Sequence, residues 1–93
     1  MSVESTLRVQ ARSLIQAGKI PNRLPDRIWG GRGVGSPCTV CDAPVKRDEA
    51  ELEVEWIEGA SKINHNLHAR CFAVLELEIR GRGATKLNLA AGG

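Results

Sequence analysis

Three stretches of the chain carry a readable hydrophobic period, and an irregular stretch separates the first from the other two. Leu7, Ala11, Leu14, Ile15 and Gly18 follow the spacing of one helix face, which predicts an amphipathic helix over 4–17 with Arg8, Arg12 and Gln16 near its polar side. Ser2 or Ser5 can cap its start, and Gly18 can close it with Pro21 just beyond. Residues 20–37 hold three prolines and four glycines around one bulky apolar pair, Ile28 and Trp29, and read as a linker or ordered loop. Strict alternation over 51–57 then predicts a strand with Leu52, Val54 and Trp56 on one face. Residues 58–62 supply a turn and 63–67 a weaker returning strand. Residues 69–80 have a helical period, with Cys71, Leu75 and Ile79 on one face beside Phe72; Gly81 and Gly83 are the expected stop, and the last residues read as a flexible tail.

The expected architecture is therefore a small α+β domain: N-terminal helix, irregular loop, hairpin, C-terminal helix. Its parts are a helix-and-loop segment over 1–36, a central module over 37–80 and a tail over 81–93. With 93 residues the core is modest, and domains of this size often need a metal or disulfides. Three cysteines suit a metal site better than a disulfide framework. The N-terminus shows no basic region followed by an apolar core, and no apolar run has the length of a membrane span, so a cytoplasmic protein without a membrane partner is expected.

The net charge of +2 conceals a segregation. Residues 1–47 hold eight Lys or Arg against three acids, whereas residues 48–79 hold two against eight. This is not the bulk charge of a nucleic-acid coat protein, so any such contact has to come from the basic ends.

Chemistry concentrates in two pairs, Cys38-x₂-Cys41 and His68-x₂-Cys71. Zn²⁺ prefers four N/S donors at tetrahedral corners, and each pair can present two of them to one ion. The chain between the pairs is long enough for a hairpin. Asp42 stands where such a knuckle needs left-handed backbone, which Asp tolerates better than most residues. His65 is an alternative to His68, although its alternation with Ile63 and Leu67 suits a plain strand position. A thioredoxin-like role for Cys38 and Cys41 lacks the βαβ context it needs. The Pro-Cys-x₂-Cys portion of a deaminase signature lacks its preceding His-x-Glu. Four protein ligands leave no open position for water, so the expected ion is one structural Zn²⁺ and no enzyme or small-molecule substrate is expected.

The order Cys-x₂-Cys, hairpin, His-x₂-Cys-Phe opening a helix resembles a treble-clef zinc module. It is similar to the zinc finger of poly(ADP-ribose) polymerases and, in ligand order, to the first half of a LIM domain. The spacing between the ligand pairs is a little short for the former and a little long for the latter. The likeness covers residues 37–80 and carries over only the four ligands and Phe72; the chain also resembles small bacterial zinc-binding proteins. The polymerase likeness implies DNA contact, and the LIM likeness implies protein contact.

The residues themselves offer surfaces for both. Arg23, Arg27, Trp29 and Arg32, with Lys46 and Arg47 after them, form a candidate nucleic-acid surface, since guanidinium groups suit phosphates and an exposed Trp can stack on a base. Arg8, Arg12 and Lys19 add to the basic half. For Trp29 the plainer expectation is burial against the zinc core. Glu51, Glu53 and Glu55 form an expected exposed acidic row, either a solvated sheet face or a docking face for a basic protein. The expected function is a regulatory module contacting nucleic acid, DNA above all, with a protein-interaction adaptor as the alternative.

Overall fold

The computed structural model describes the backbone of residues 3–90 and the side chains of residues 3–81. Its elements run α1 (Val3–Gln16), β1 (Arg27–Arg32), β2 (Ala50–Glu58), β3 (Ser61–His68) and α2 (Ala69–Ala90). The strands form one antiparallel sheet in the order β1-β2-β3. The α+β expectation holds. Among the described residues no helix is long and apolar enough to cross a membrane.

Helix α1 ends as its sequence predicts. Gly18 takes φ 77°, its N–H donates to Ile15 O at 3.0 Å and the Lys19 N–H donates to Leu14 O at 3.0 Å, the paired closure of a left-handed C-terminal cap. Leu7, Ala11 and Ile15 turn inward and join Val74, Leu75 and Ile79 in the core. The period of α1 thus becomes a contact between the two helices.

Strand β2 presents Val54 and Trp56 to the interior, both fully buried, with Leu52 partly buried on the same face. The Trp56 indole N–H would be orphaned there, and it donates to Arg23 O at 2.7 Å. The β2–β3 turn is tight: Glu58 pairs Ser61 across Gly59 and Ala60, with Gly59 at φ 60°.

Two expectations are corrected here. Within the stretch expected to be irregular, Arg27–Arg32 is a strand paired with β2 from Arg27↔Glu55 to Arg32↔Ala50. Gly30 and Gly31 lower its local strand signal, and the ladder to β2 supplies what propensity does not. Helix α2 runs on to Ala90, past Gly81 and Gly83, because single glycines weaken a helix by about 1 kcal/mol without forbidding it. Of the expected tail, residues 81–90 are helical and 91–93 lie outside the described residues.

The connection from β1 to β2 is a long hairpin arm. Gly33 N–H donates to Glu49 O, Gly35 N–H to Val45 O, Val45 N–H to Ser36 O and Cys38 N–H to Ala43 O, with a bridge between Pro37 and Pro44. Gly33 is buried where a Cβ would overlap the carbonyl oxygens of Val45 and Lys46, so this crossing requires glycine. The arm delivers residues 38–42 to the outer edge of β3, where Thr39 N–H donates to Asn66 O at 2.9 Å.

Candidate metal centre

The tip of the arm is a tight turn. Asp42 N–H donates to Cys38 O at 2.8 Å, and Asp42 sits at φ 67°, the left-handed backbone anticipated for it. This turn sets Cys38 and Cys41 side by side. His68 closes β3 and Cys71 lies in the first turn of α2, so the strand-to-helix junction supplies the second pair.

One donor atom from each of Cys38, Cys41, His68 and Cys71 lies within 4.8 Å of every other. The His68 Nδ1 is 3.4 Å from Cys41 Sγ and 3.9 Å from Cys71 Sγ. Metal–donor bonds of about 2.0–2.3 Å at tetrahedral angles require donor separations of roughly 3.5–3.8 Å, so the cluster is near the size of a tetrahedral site. Cys38, Cys71 and His68 are buried and Cys41 is partly buried. The donor set therefore fits one metal ion, and its chemistry is that of a closed Cys3His site.

The protonation pattern points the same way. The Cys38 thiol is held well below the ordinary range, to about 4, chiefly by a hydrogen bond from Cys71, against the opposing effect of burial, with the backbone N–H groups of Cys41 and His68 assisting. Cys71 is driven upward by its hydrogen bond to Cys38, by burial and by the neighbouring sulfurs. Crowded thiols in a buried site cannot all ionise together without a cation. A divalent ion removes that conflict by holding several thiolates at once.

His68 is oriented by a residue that the sequence reading did not single out. Its Nε2 lies 3.3 Å from Glu49 Oε1, and the same oxygen accepts the Lys46 N–H at 2.9 Å. A carboxylate accepts, so Nε2 carries the proton and the Nδ1 lone pair is turned toward the sulfurs. The Lys46 N–H, with His68 and Arg70 nearby, lowers the Glu49 carboxyl below its usual range against slight desolvation. Glu49 stands 19 residues from His68 in the chain, and no spacing rule links them; only the arm folding over β3 brings them together.

His65, the alternative ligand, stands outside the cluster. Its Nε2 is 3.1 Å from Lys19 O and its Nδ1 is 3.0 Å from Thr39 Oγ1. A carbonyl only accepts, so His65 donates from Nε2 to Lys19 and accepts from the Thr39 hydroxyl. Both nitrogens are occupied in pinning the arm to β3.

The candidate nucleic-acid residues scatter in role. Arg23 donates to Asp26 at 3.1 Å and to Ile57 O at 2.9 Å, with Glu58 3.7 Å away. Arg27 faces Glu55 at 3.9 Å. Arg8 and Arg12 each donate to buried Glu78, at 2.9 and 3.0 Å, clasping α1 to α2. Burial pushes the Glu78 carboxyl up, but Arg12 and Arg8 outweigh it and hold it below the usual range. Trp29 is 46% exposed and does not pack on the metal core, a correction to its expected burial. Arg32, Lys46 and Arg47 are exposed, with Asp48 and Glu49 lining the same shallow cleft as Arg32 and Arg47.

The acidic row is also corrected. Glu53 is exposed, but Glu51 and Glu55 are 8% and 6% exposed. Glu51 accepts from the Asn66 amide at 2.9 Å, and Glu55 Oε1 is buried without a hydrogen bond. Asn66 on β3 meets Glu51 and Arg27 on β1 faces Glu55, and period-2 alternation alone did not determine exposure.

Comparison with protein-family models, with curated proteins and with solved structures finds no match for this chain.

Proposed function

We propose that the chain is a non-enzymatic interaction module held together by one structural Zn²⁺. The convergence of two Cys ligands from the arm with His68 and Cys71 from the β3–α2 junction carries this reading. Three thiolates and one imidazole suit Zn²⁺ better than hard cations, and four protein donors fill its coordination. The order of arm, hairpin and helix supports the likeness to a treble-clef module. Metal analysis of the purified protein is expected to find one zinc per chain, lost together with the cooperative melt on chelation; stoichiometric absence of metal defeats the reading.

Between the two binding classes, the side-chain pairing favours the adaptor. Four arginines of the basic half, Arg8, Arg12, Arg23 and Arg27, face acids of the same chain. The cations of that half left for phosphate are Lys19 and a short rim of Arg32, Lys46 and Arg47 interrupted by Asp48 and Glu49. Nucleic-acid binding through Trp29 and this rim predicts a salt-dependent shift of random duplex or single-stranded DNA, with a slope of about one unit per phosphate contact. The adaptor reading predicts little such binding at physiological salt.

A further inference from the structure

We propose that the free edge of β1 receives an extended, acidic segment of another protein, added as a fourth strand beside Arg27–Arg32. The proposal rests on the adaptor reading and gives its partner a chemistry. The register settles which groups are available. Gly33 N–H donates to Glu49 O one step beyond the Arg32↔Ala50 pair. Antiparallel ladders alternate, so residues 27, 29, 31 and 33 turn their N–H and C=O groups toward β2. Ile28, Gly30 and Arg32 turn theirs to the open side.

That side is unusually approachable. All six residues of β1 are exposed, and β1 is an edge strand. Gly30 and Gly31 at its middle present no side chain to an incoming backbone, and a Cβ at Gly31 would meet nothing within 4 Å. Ile28 and Trp29, 48% and 46% exposed, stand on opposite faces of the strand. They offer apolar contact to alternate side chains of an added strand, while main-chain bonds supply affinity.

Charge selects the occupant. Arg27 and Arg32 stand at the two ends of the strand, with exposed Lys46 and Arg47 following on the arm. A second copy added antiparallel must set outward residues opposite outward residues, which places Arg32 of each chain opposite Ile28 of the other and the two Gly30 residues together, so Arg32 finds no acid there. An acid opposite Arg32 on a foreign strand supplies the partner that a second copy lacks, and an acid five residues further on competes with Glu55, 3.9 Å away, for Arg27.

The test uses the zinc-loaded, ¹⁵N-labelled chain and an end-capped hexapeptide, Glu-Val-Thr-Val-Thr-Glu, at up to millimolar concentration. Binding is expected to slow amide exchange of Ile28, Gly30 and Arg32 by about tenfold or more, while Trp29 and Gly31, already paired to β2, change far less. A peptide with Lys for both Glu is expected to bind about tenfold more weakly, as two attractive pairs become repulsive. Gly30→Pro removes an outward N–H without touching the β2 ladder and is expected to weaken binding by a similar factor. Arg32→Glu does so through charge alone and is expected to melt like wild type. Protection appearing elsewhere than on β1 overturns the edge assignment and leaves the adaptor reading standing. No peptide binding at millimolar concentration overturns the proposal. If wild type then shows salt-sensitive duplex DNA binding that Arg32→Glu abolishes, the adaptor reading falls with it. Dimerisation in sedimentation that Gly30→Pro abolishes assigns the edge to a second copy and overturns the acidic partner.

Discussion

The sheet has two edges, and the chain treats them in opposite ways. Along β3 the arm lies against the strand: Thr39 donates to Asn66, His65 bridges Thr39 and Lys19, and His68 ends the strand among three sulfurs. Along β1 all six residues are exposed. Both strands are antiparallel to β2, so backbone pairing does not distinguish them. The difference lies in side chains. At β3 the chain supplies four donors to one point, which makes a metal and the arm that carries it the natural cover. At β1 it supplies two glycines between two arginines, which cover nothing and leave the charge of Arg32 without an acid opposite it. An edge covered by an arm that brings four metal donors together is a structural device, whereas an edge left open among the described residues is a place for something else to bind.

The sharpest way to break this contrast is to remove the metal. Cys71→Ser, or exhaustive chelation, is expected to abolish cooperative melting, because structural zinc contributes on the order of 10 kcal/mol that is folding free energy. Circular dichroism melts with and without added zinc check it, and a Cys71→Ser variant that melts like wild type would sink the structural-metal reading.

Glu49→Gln probes the edge that carries the donor cluster more gently. It keeps the shape of the side chain but removes the carboxylate that fixes His68, and metal affinity is expected to fall about 10–100-fold with the apo-to-holo spectral change intact. Competition with a chromophoric chelator gives the number; unchanged affinity would reduce Glu49 to a loop contact.

A third change leaves both edges alone. Glu78→Gln loosens α1 from α2 and is expected to cost about 1–2 kcal/mol near neutral pH, allowing for screening of the half-exposed guanidinium groups. The Glu78 carboxyl is lowered on folding from 4.5, so its contribution is fully present above that value and is lost as pH falls through the folded one. The stability gap between wild type and Glu78→Gln, measured as urea midpoints, is expected to be constant from pH 7 to 5.5 and to close below about 4.5. A gap that widens in acid would show that the pairing has the opposite sign.

The smallest effect is expected at the knuckle's left-handed residue. Asp42→Gly is expected to change stability by no more than about 0.5 kcal/mol, because relief of backbone strain offsets the greater freedom of the unfolded chain. Asp42→Val at the same φ is expected to cost about 1–2 kcal/mol. Equal melting temperatures for the two would mean that the turn adapts.

What was legible in the sequence shares one property: it depends on neighbours along the chain. The face of α1 with its Gly18 closure, the buried side of β2, and the two pairs Cys38/Cys41 and His68/Cys71 all follow from local period or spacing. Asp42 was readable because left-handed backbone favours few residue types. Strand β1 was not legible, since its identity comes from β2 eighteen or more residues away and its own glycines argue against it. The extent of α2 was misjudged because glycine lowers helix propensity without fixing an end.

Sequence alone thus determined the donor set, since thiol and imidazole chemistry at those spacings admits few uses. It also determined the α+β class, because periods of 3.6 and 2 are written in the order of apolar residues. Tertiary structure decided which charges are free. Arg8, Arg12 and Glu78, or Arg23 and Glu58, meet only when distant segments pack, and each meeting removes a cation from the surface available to a partner. It also decided that Glu49 holds His68 and that one sheet edge stays open. Contacts between distant segments depend on how the whole chain closes, and no local pattern encodes that closure.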